Sequence, residues 1–347
     1  MIPTAFGLDR FRRGPNLRDF DPDTPEKFRE APLYAADEEL RTVVELALEL
    51  GQPLLITGEP GCGKTAAAYW AAWELGLGPT DLFHVQIRSA ATAADLKYEF
   101  DSVGFLRESQ AAGARQEIWD TAHEEAVRRR LIRKGPLWHA FQAARERSVV
   151  LLLDEIDKAP RDFPNDLLHE FDQHEFDVPE WQENGRPLRV SARAPDRSAR
   201  RESSPAQDPF LLVVFTSNGE RRLPDAFLRR CVHHHVAFDE QRLLDIVRYR
   251  LEQARRDEHR AGSGGDGVGL GDDFVRYAIK RFMVLKRSEQ LNHEPGLAEL
   301  LVWLRVVAAR GGVDLDRLEN LAPGELPYLG LLLKDPEDRQ RLEIKAR

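Results

Sequence analysis

Residues 58–65 read Gly58-Glu59-Pro60-Gly61-Cys62-Gly63-Lys64-Thr65 and match the phosphate-binding pattern G-x-x-x-x-G-K-[ST] at every fixed position. The flanks carry the weight of this reading. Pro53-Leu54-Leu55-Ile56-Thr57 is an apolar run of strand length, and an alanine-rich run from Ala66 to Leu75 reads as a helix. Strand, glycine turn and helix N-terminus together aim backbone N–H groups at an anion. Glycines permit close approach of the backbone to phosphate oxygens. Lys64 is expected on the β- and γ-phosphates, and Thr65 is expected to offer its hydroxyl to Mg²⁺. The bland alternative, a glycine turn with a chance lysine, does not account for the strand and helix on either side.

A second stretch points the same way. Ser148-Val149-Val150-Leu151-Leu152-Leu153 is wholly apolar after its first residue and ends in Asp154-Glu155. A strand buried on both faces belongs to a parallel sheet covered by helices. Carboxylates at its carboxyl end stand where such sheets bind ligands. Asp154 is expected in the Mg²⁺ shell, and Glu155 is expected to take a proton from the attacking water. A third apolar run, Leu211 to Phe215, ends in Thr216-Ser217-Asn218. Asn218 can orient water near a γ-phosphate; it can equally be a residue chosen to end a strand in a turn.

Gly58–Thr65, then Leu151 to Ala159, then Thr216-Ser217-Asn218 resemble Walker A, Walker B and sensor 1 of an AAA+ ATPase. Leu223-Pro224-Asp225-Ala226-Phe227-Leu228-Arg229-Arg230-Cys231 resembles the segment that carries the arginine finger. The wording of these motifs is similar to the MoxR branch, from about Tyr34 to about Lys334. The resemblance implies an ATP- and Mg²⁺-dependent hydrolase, a ring of about six subunits, and Arg230 or its neighbour Arg229 acting on the next subunit's nucleotide. It also implies adenine near Tyr34, where Tyr34-Ala35 is expected to open a helix leading to the first strand; the alternative is a core tyrosine.

Spacing bears on organisation. Asp154 lies 90 positions after Lys64, and Asn218 lies 64 positions after Asp154, more than short connections require. Two inserts are expected, and the resemblance to the MoxR branch implies one in helix 2, at about 90–134, and one before sensor 1, at about 176–207. The first holds Asp95 to Asp101 and a helical stretch from Ala114 to Lys134. The expected fold class is α/β: a parallel sheet flanked by helices, followed by a smaller all-helical lid. Residues 1–33 read as an N-terminal arm, 34–238 as the nucleotide-binding domain and 239–347 as the lid, with a glycine-rich linker at 262–271. The strands are predicted at Pro53–Thr57, Leu82–Ile87, Val149–Leu153, Leu211–Thr216 and His233–Ala237.

The chain has 347 residues, 42% of them hydrophobic, enough for two cores. A net charge of −9 disfavours nucleic acid as an obligate partner, because phosphate binding needs a surplus of Lys and Arg. Arg128-Arg129-Arg130 and Arg200-Arg201 are local exceptions that read as solvated faces or subunit contacts. Two cysteines, Cys62 and Cys231, exclude a disulfide framework and fit a reducing cytoplasm. His233-His234-His235 lies between valines and reads as an alternating strand rather than a metal tract. No apolar stretch reaches bilayer-spanning length.

One departure from the family pattern stands out. Around Pro295 the stretch Asn292 to Leu300 has no basic residue where the lid arginine, sensor 2, is expected; Arg287 and Arg305 are the alternatives. Two functions remain open. One is an ATPase that remodels or assembles an unidentified protein client. The other is a nucleotide-gated scaffold or signalling module in a multi-protein defence or stress system, with little turnover. A DNA motor ranks third for the charge reason.

Overall fold

The computed structural model describes residues 7–17, 20–115, 120–183, 185–193, 208–260, 271–287, 291–310 and 321–345. Residues 262–270 of the predicted linker, 194–207 of the second predicted insert and the Arg200-Arg201 pair lie outside the described residues.

The chain divides into two compact units: Met1–Arg29, Asp37–Thr57 and Ala68–His234 form one, and Glu30–Ala36, Gly58–Ala67 and His235–Arg347 form the other. Along the chain the first elements are α1 (Glu26–Arg29), α2 (Glu38–Leu50), β1 (Leu54–Gly58), α3 (Lys64–Glu74) and β2 (Leu82–Gln86). Asp37 starts α2 by accepting the Leu40 N–H at 2.7 Å, and Gly51 ends it in the left-handed region with φ of 62°. Leu40, Val43, Val44 and Ala47 are its buried stripe. The helix predicted from Tyr34 therefore begins only at Glu38. Tyr34 is instead extended, with ψ of 121°, because the Asp37 cap sets the start.

Next come α4 (Ala93–Lys97), β3 (Tyr98–Phe100), α5 (Ser102–Arg115), α6 (Thr121–Arg130), β4 (Ile132–Lys134), α7 (Pro136–Ala144) and β5 (Val149–Asp154). The stretch from 132 to 134, predicted helical, is a strand: Ile132 and Lys134 pair antiparallel with Phe100 and Tyr98. A local helical pattern cannot register this, since the partner strand lies some thirty residues earlier in the chain. Gly135 separates β4 from α7, and a Cβ there would collide with the carbonyl of Leu96.

After β5 follow α8 (Phe163–Asp166), α9 (Leu168–Gln173), β6 (Glu175–Glu183), β7 (Arg186–Ser191), β8 (Leu211–Ser217), α10 (Asp225–Leu228) and β9 (Val232–Val236). β6 and β7 make a separate antiparallel hairpin with a bulge between Val178 and Gln182. The main sheet has five strands in the order β2-β5-β8-β1-β9. β2 with β5, β5 with β8 and β8 with β1 pair in parallel, so these strands end on one edge. Every residue of β5 is buried, as expected for a central strand covered on both faces. Leu151, Leu153, Val213, Phe215, Phe141, Phe171 and Phe227 belong to one apolar cluster, with Phe215 edge-on to Phe171 and Phe227.

The second unit is mainly helical. It contains α11 (Glu240–Arg260), α12 (Asp272–Lys286) and α13 (Leu297–Arg310), then short helices at Leu329–Leu332 and Pro336–Lys345. Val247, Ala278, Phe282, Leu300, Trp303 and Leu332 are among its buried core, and Trp303 donates Nε1–H to the Pro327 carbonyl at 2.6 Å. Asp338, fully buried, accepts the N–H groups of Asn292 and His293 at 2.8 and 2.9 Å. A buried carboxylate is thus matched by two donors. No helix among the described residues is long and apolar enough to cross a membrane.

Candidate functional site

The phosphate loop leaves β1 at Gly58 and enters α3 at Lys64. Gly61 and Gly63 have φ of 76° and 99°, conformations that favour glycine. The Cys62 N–H reaches the Glu59 carbonyl at 3.3 Å, closing the turn after Pro60. A Cβ on Gly58 would sit 2.7 Å from Cys62 Sγ and from the Val236 carbonyl, so the loop has no room for one. Lys64 is 5% exposed; its Nζ donates to the carbonyls of Gly58 and Glu59 at 2.9 and 2.7 Å. An ammonium folded onto its own loop, beside the N-terminus of an eleven-residue helix, is a fitting cradle for an anion. Thr65 is the second residue of that helix. Burial raises the Cys62 thiol, and the Lys64 charge opposes this only in part.

Within the same unit, residues of the helical C-terminal part bear on this loop. Leu297, the first residue of α13, donates its N–H to the Gly61 carbonyl at 3.4 Å. Gly61 and Gly296 face each other so closely that a Cβ on either would stand 3.3–3.4 Å from the other's Cα. A second cation, Lys286 of α12, reaches the loop from the helical part. Its Nζ lies 2.8 Å from Glu294 and 3.1 Å from Glu59, and 4.7 Å from the Phe238 ring centre. Burial alone would lower this amine, but the two carboxylates outweigh it and hold it above its usual range. Sequence reading weighed Arg287 and Arg305 and missed Lys286. The available signal was its position: four residues after Phe282 and three after Met283, on the buried stripe of α12.

The carboxylates at the end of β5 belong to the other unit. Asp154 is 3% exposed, and each of its oxygens holds a side-chain donor: Oδ1 accepts the Thr216 hydroxyl at 2.6 Å, and Oδ2 lies 3.1 Å from His84 Nε2. His84 Nδ1 in turn lies 3.0 Å from the Tyr69 hydroxyl. That hydroxyl is raised in pKa by burial and then by the Asp154 charge. Glu155 adopts φ 62°, ψ 52°, a left-handed conformation costly for a residue with a Cβ. Its N–H is held by Thr216 Oγ1 at 2.8 Å. Its carboxylate accepts from Lys158 at 2.6 Å, from Gln86, and from Asn218 Nδ2 at 3.4 Å. The hydrogen bond that Lys158 donates to Glu155 is the chief cause that holds the Lys158 amine above its usual range. Glu155 thus combines a strained backbone with a carboxylate held by three side-chain partners.

Asp154, Glu155 and Asn218 are therefore brought together. His84 and Gln86, which help join them, went unremarked in the sequence, and Thr216 was read there only as part of the Thr216-Ser217-Asn218 strand end. Their signal was polar residues interrupting otherwise apolar strand sequences. Arg230 follows α10; its Nε pairs with Asp172 at 3.0 Å, and both side chains are about half exposed. Arg229 is exposed. In β9 His234 is buried, while His233 points outward and lies 2.8 Å from the Thr57 hydroxyl. Burial pushes the neighbouring Cys231 thiol up to about 12.

Mg²⁺ keeps several waters and takes one or two carboxylates plus substrate phosphates. A single buried carboxylate of fixed orientation suits that demand. Among the described residues no group of three His, Cys, Asp or Glu side chains could hold a metal by itself.

The family described as an AAA domain of the dynein-related subfamily matches residues 53–231, just over half of the chain. No curated protein matches it. Among solved structures, that of PCH-2 from C. elegans aligns at 13% identity and a TM-score of 0.41, over 92% of this chain and 74% of that one. Domain III of the replication initiation protein DnaA from Thermotoga maritima aligns at 15% identity and a TM-score of 0.36, over 86% of this chain and 95% of that one.

Proposed function

The chain belongs to the dynein-related subfamily of AAA domains, and on that premise we propose that it is a Mg²⁺-dependent ATPase of MoxR type that remodels or assembles a protein partner. The observation that carries the reading is the pair at the end of β5: Asp154 buried and doubly bonded, Glu155 strained and held beside Asn218. In this reading Gly58, Glu59, Pro60, Gly61, Cys62, Gly63 and Lys64 bind the phosphates. Thr65 and Asp154 hold Mg²⁺, whose bound charge neutralises the β- and γ-phosphate oxygens. Glu155 accepts the water proton, Asn218 orients that water, and Arg230 or Arg229 completes a neighbouring subunit's site. Residues 34–238 act as the nucleotide-binding domain, with inserts at about 90–134 and 176–207, and 239–347 as its lid. The active assembly is a cytoplasmic ring of about six.

One observation favours the second reading, a nucleotide-gated scaffold with little turnover. Lys158, Gln86 and Asn218 take three of the roughly four acceptor sites of the Glu155 carboxylate, which leaves it little capacity to accept a further proton and lowers its strength as a base. Phosphate release by the purified chain, with and without excess EDTA, separates the readings. Mg²⁺-dependent turnover supports the ATPase; tight ATP binding with negligible turnover supports the scaffold. Failure to bind ATP at all overturns both.

A further inference from the structure

Asp154 is served by a directed chain of hydrogen bonds that the family motifs do not include. It begins at Tyr69 on α3, passes through His84 on β2 and ends on Oδ2 of Asp154. Tyr69 is 7% exposed and Asp154 is 3% exposed, so neither end is satisfied by bulk water. The tautomer follows from the partners. A carboxylate can only accept, so the His84 nitrogen facing it must carry a proton. In the neutral ring Nδ1 is then an acceptor, and the Tyr69 hydroxyl is the donor that meets it. Tyr69 and His84 also meet edge to face, with ring centres 5.8 Å apart, so the imidazole plane is held by packing as well. On the other side Thr216 donates to Oδ1. The carboxylate is thereby clamped between donors from β2 and β8, the two strands that flank β5.

We propose that Tyr69 and His84 are positioning residues for the metal step: they fix the tautomer and the carboxylate plane so that Asp154 presents a pre-oriented oxygen to Mg²⁺. Donors behind a metal-binding carboxylate orient it, and losing one typically costs 10–100-fold in metal affinity. The inference rests on the reading of Asp154 as the metal-side carboxylate.

The test uses Mn²⁺ as the probe, with a non-hydrolysable ATP analogue and the full chain. Free Mn²⁺ is counted by electron paramagnetic resonance, analogue affinity is measured in EDTA, and melting is followed in parallel. His84→Ala should weaken Mn²⁺ binding to the nucleotide-loaded protein by roughly 10–100-fold while metal-free analogue affinity stays unchanged. His84→Gln places an amide N–H where Nε2–H stood and should recover most of the loss. Tyr69→Phe should fall between His84→Ala and the parent. Parental Mn²⁺ affinity in His84→Ala overturns the proposal. So does an equal loss in the Ala and Gln variants that tracks a fall in melting temperature, since that is a packing role only. If the parental chain binds the analogue but no Mn²⁺, the metal role of Asp154 fails, and this inference with it. If the parent binds both, only the variants decide.

Discussion

The Thr216 hydroxyl donates to Asp154 Oδ1 over 2.6 Å, joining the ends of β8 and β5 through two side chains that are almost wholly buried. The Thr216 hydroxyl oxygen in turn accepts the N–H of Glu155 at 2.8 Å. Thr216→Val keeps the shape but strands a buried carboxylate oxygen and a backbone N–H. Each loss costs about 1–3 kcal/mol. Urea denaturation should show a drop of that order, and phosphate release should fall with it. Thr216→Ser should keep most of both. A Val variant as stable and active as the parent would remove Thr216 from the site.

Binding and chemistry should separate cleanly. Lys64→Ala removes the ammonium that lies on the loop carbonyls and should abolish ATP binding. Glu155→Gln should bind ATP like the parent and lose roughly 10²–10⁴ in hydrolysis, the usual worth of a positioned base. Nucleotide titration and single-turnover phosphate release check the two claims. Parental hydrolysis by Glu155→Gln would take the role of base away from it.

Lys286→Met should act on the loop more than on stability. Glu59 and Glu294 are each more than half exposed on their side chains, so leaving them unpaired costs only about 0–1 kcal/mol. The methionine keeps an unbranched side chain of similar length but loses the ammonium that lies over the Phe238 ring. An uncompensated Glu59 in the phosphate loop should repel the nucleotide, lowering ATP affinity on the order of fivefold, about 1 kcal/mol. Raising the salt concentration should shrink the difference between variant and parent. Unchanged affinity at low salt would count against this role.

Arg230→Ala breaks a half-exposed pair with Asp172 and should cost no more than about 1 kcal/mol of stability. As a finger acting on the neighbouring subunit it should cost ~10³–10⁵ in turnover. Mixing this variant with Lys64→Ala should restore partial activity, because some interfaces then join an intact loop to an intact finger. Absence of recovery in mixtures that co-assemble assigns the role elsewhere, with Arg229 the next residue to substitute.

Gly76 anchors the N-terminal segment. It has φ of 70°, and a Cβ there would strike the Gly14 carbonyl and lie 2.6 Å from the Gly14 nitrogen. Beside it the Arg13 N–H bonds the Leu75 carbonyl at 2.8 Å, and the Arg13 side chain reaches Ser148 Oγ at 2.8 Å. Gly76→Ala should therefore destabilise by about 2–4 kcal/mol, combining left-handed strain with overpacking. Proteolysis should then cut first near residues 13–20. A melting temperature unchanged from the parent would refute this.

The local chemistry of the chain already contained the phosphate loop, the buried strand ending in Asp154-Glu155 and the strand ending in Asn218. Their evidence is short-range: a glycine turn before a lysine, and apolar runs too long and too pure for a half-exposed strand. The partners of these residues were not legible in the same way. His84 and Gln86 stand near the end of β2, two residues apart and so on one face, and they reach Asp154 and Glu155 only because β2 pairs with β5 in a register that sets Gln86 opposite Asp154. Nothing periodic within β2 encodes that register. Lys286 meets Glu59 across 227 positions of chain, and β4 pairs with a strand that precedes two helices. Such contacts arise from how buried faces stack once many elements pack together, and local propensity carries no term for them. Short-range pattern therefore fixes which residues can do chemistry, while long-range packing fixes which side chains hold them in place.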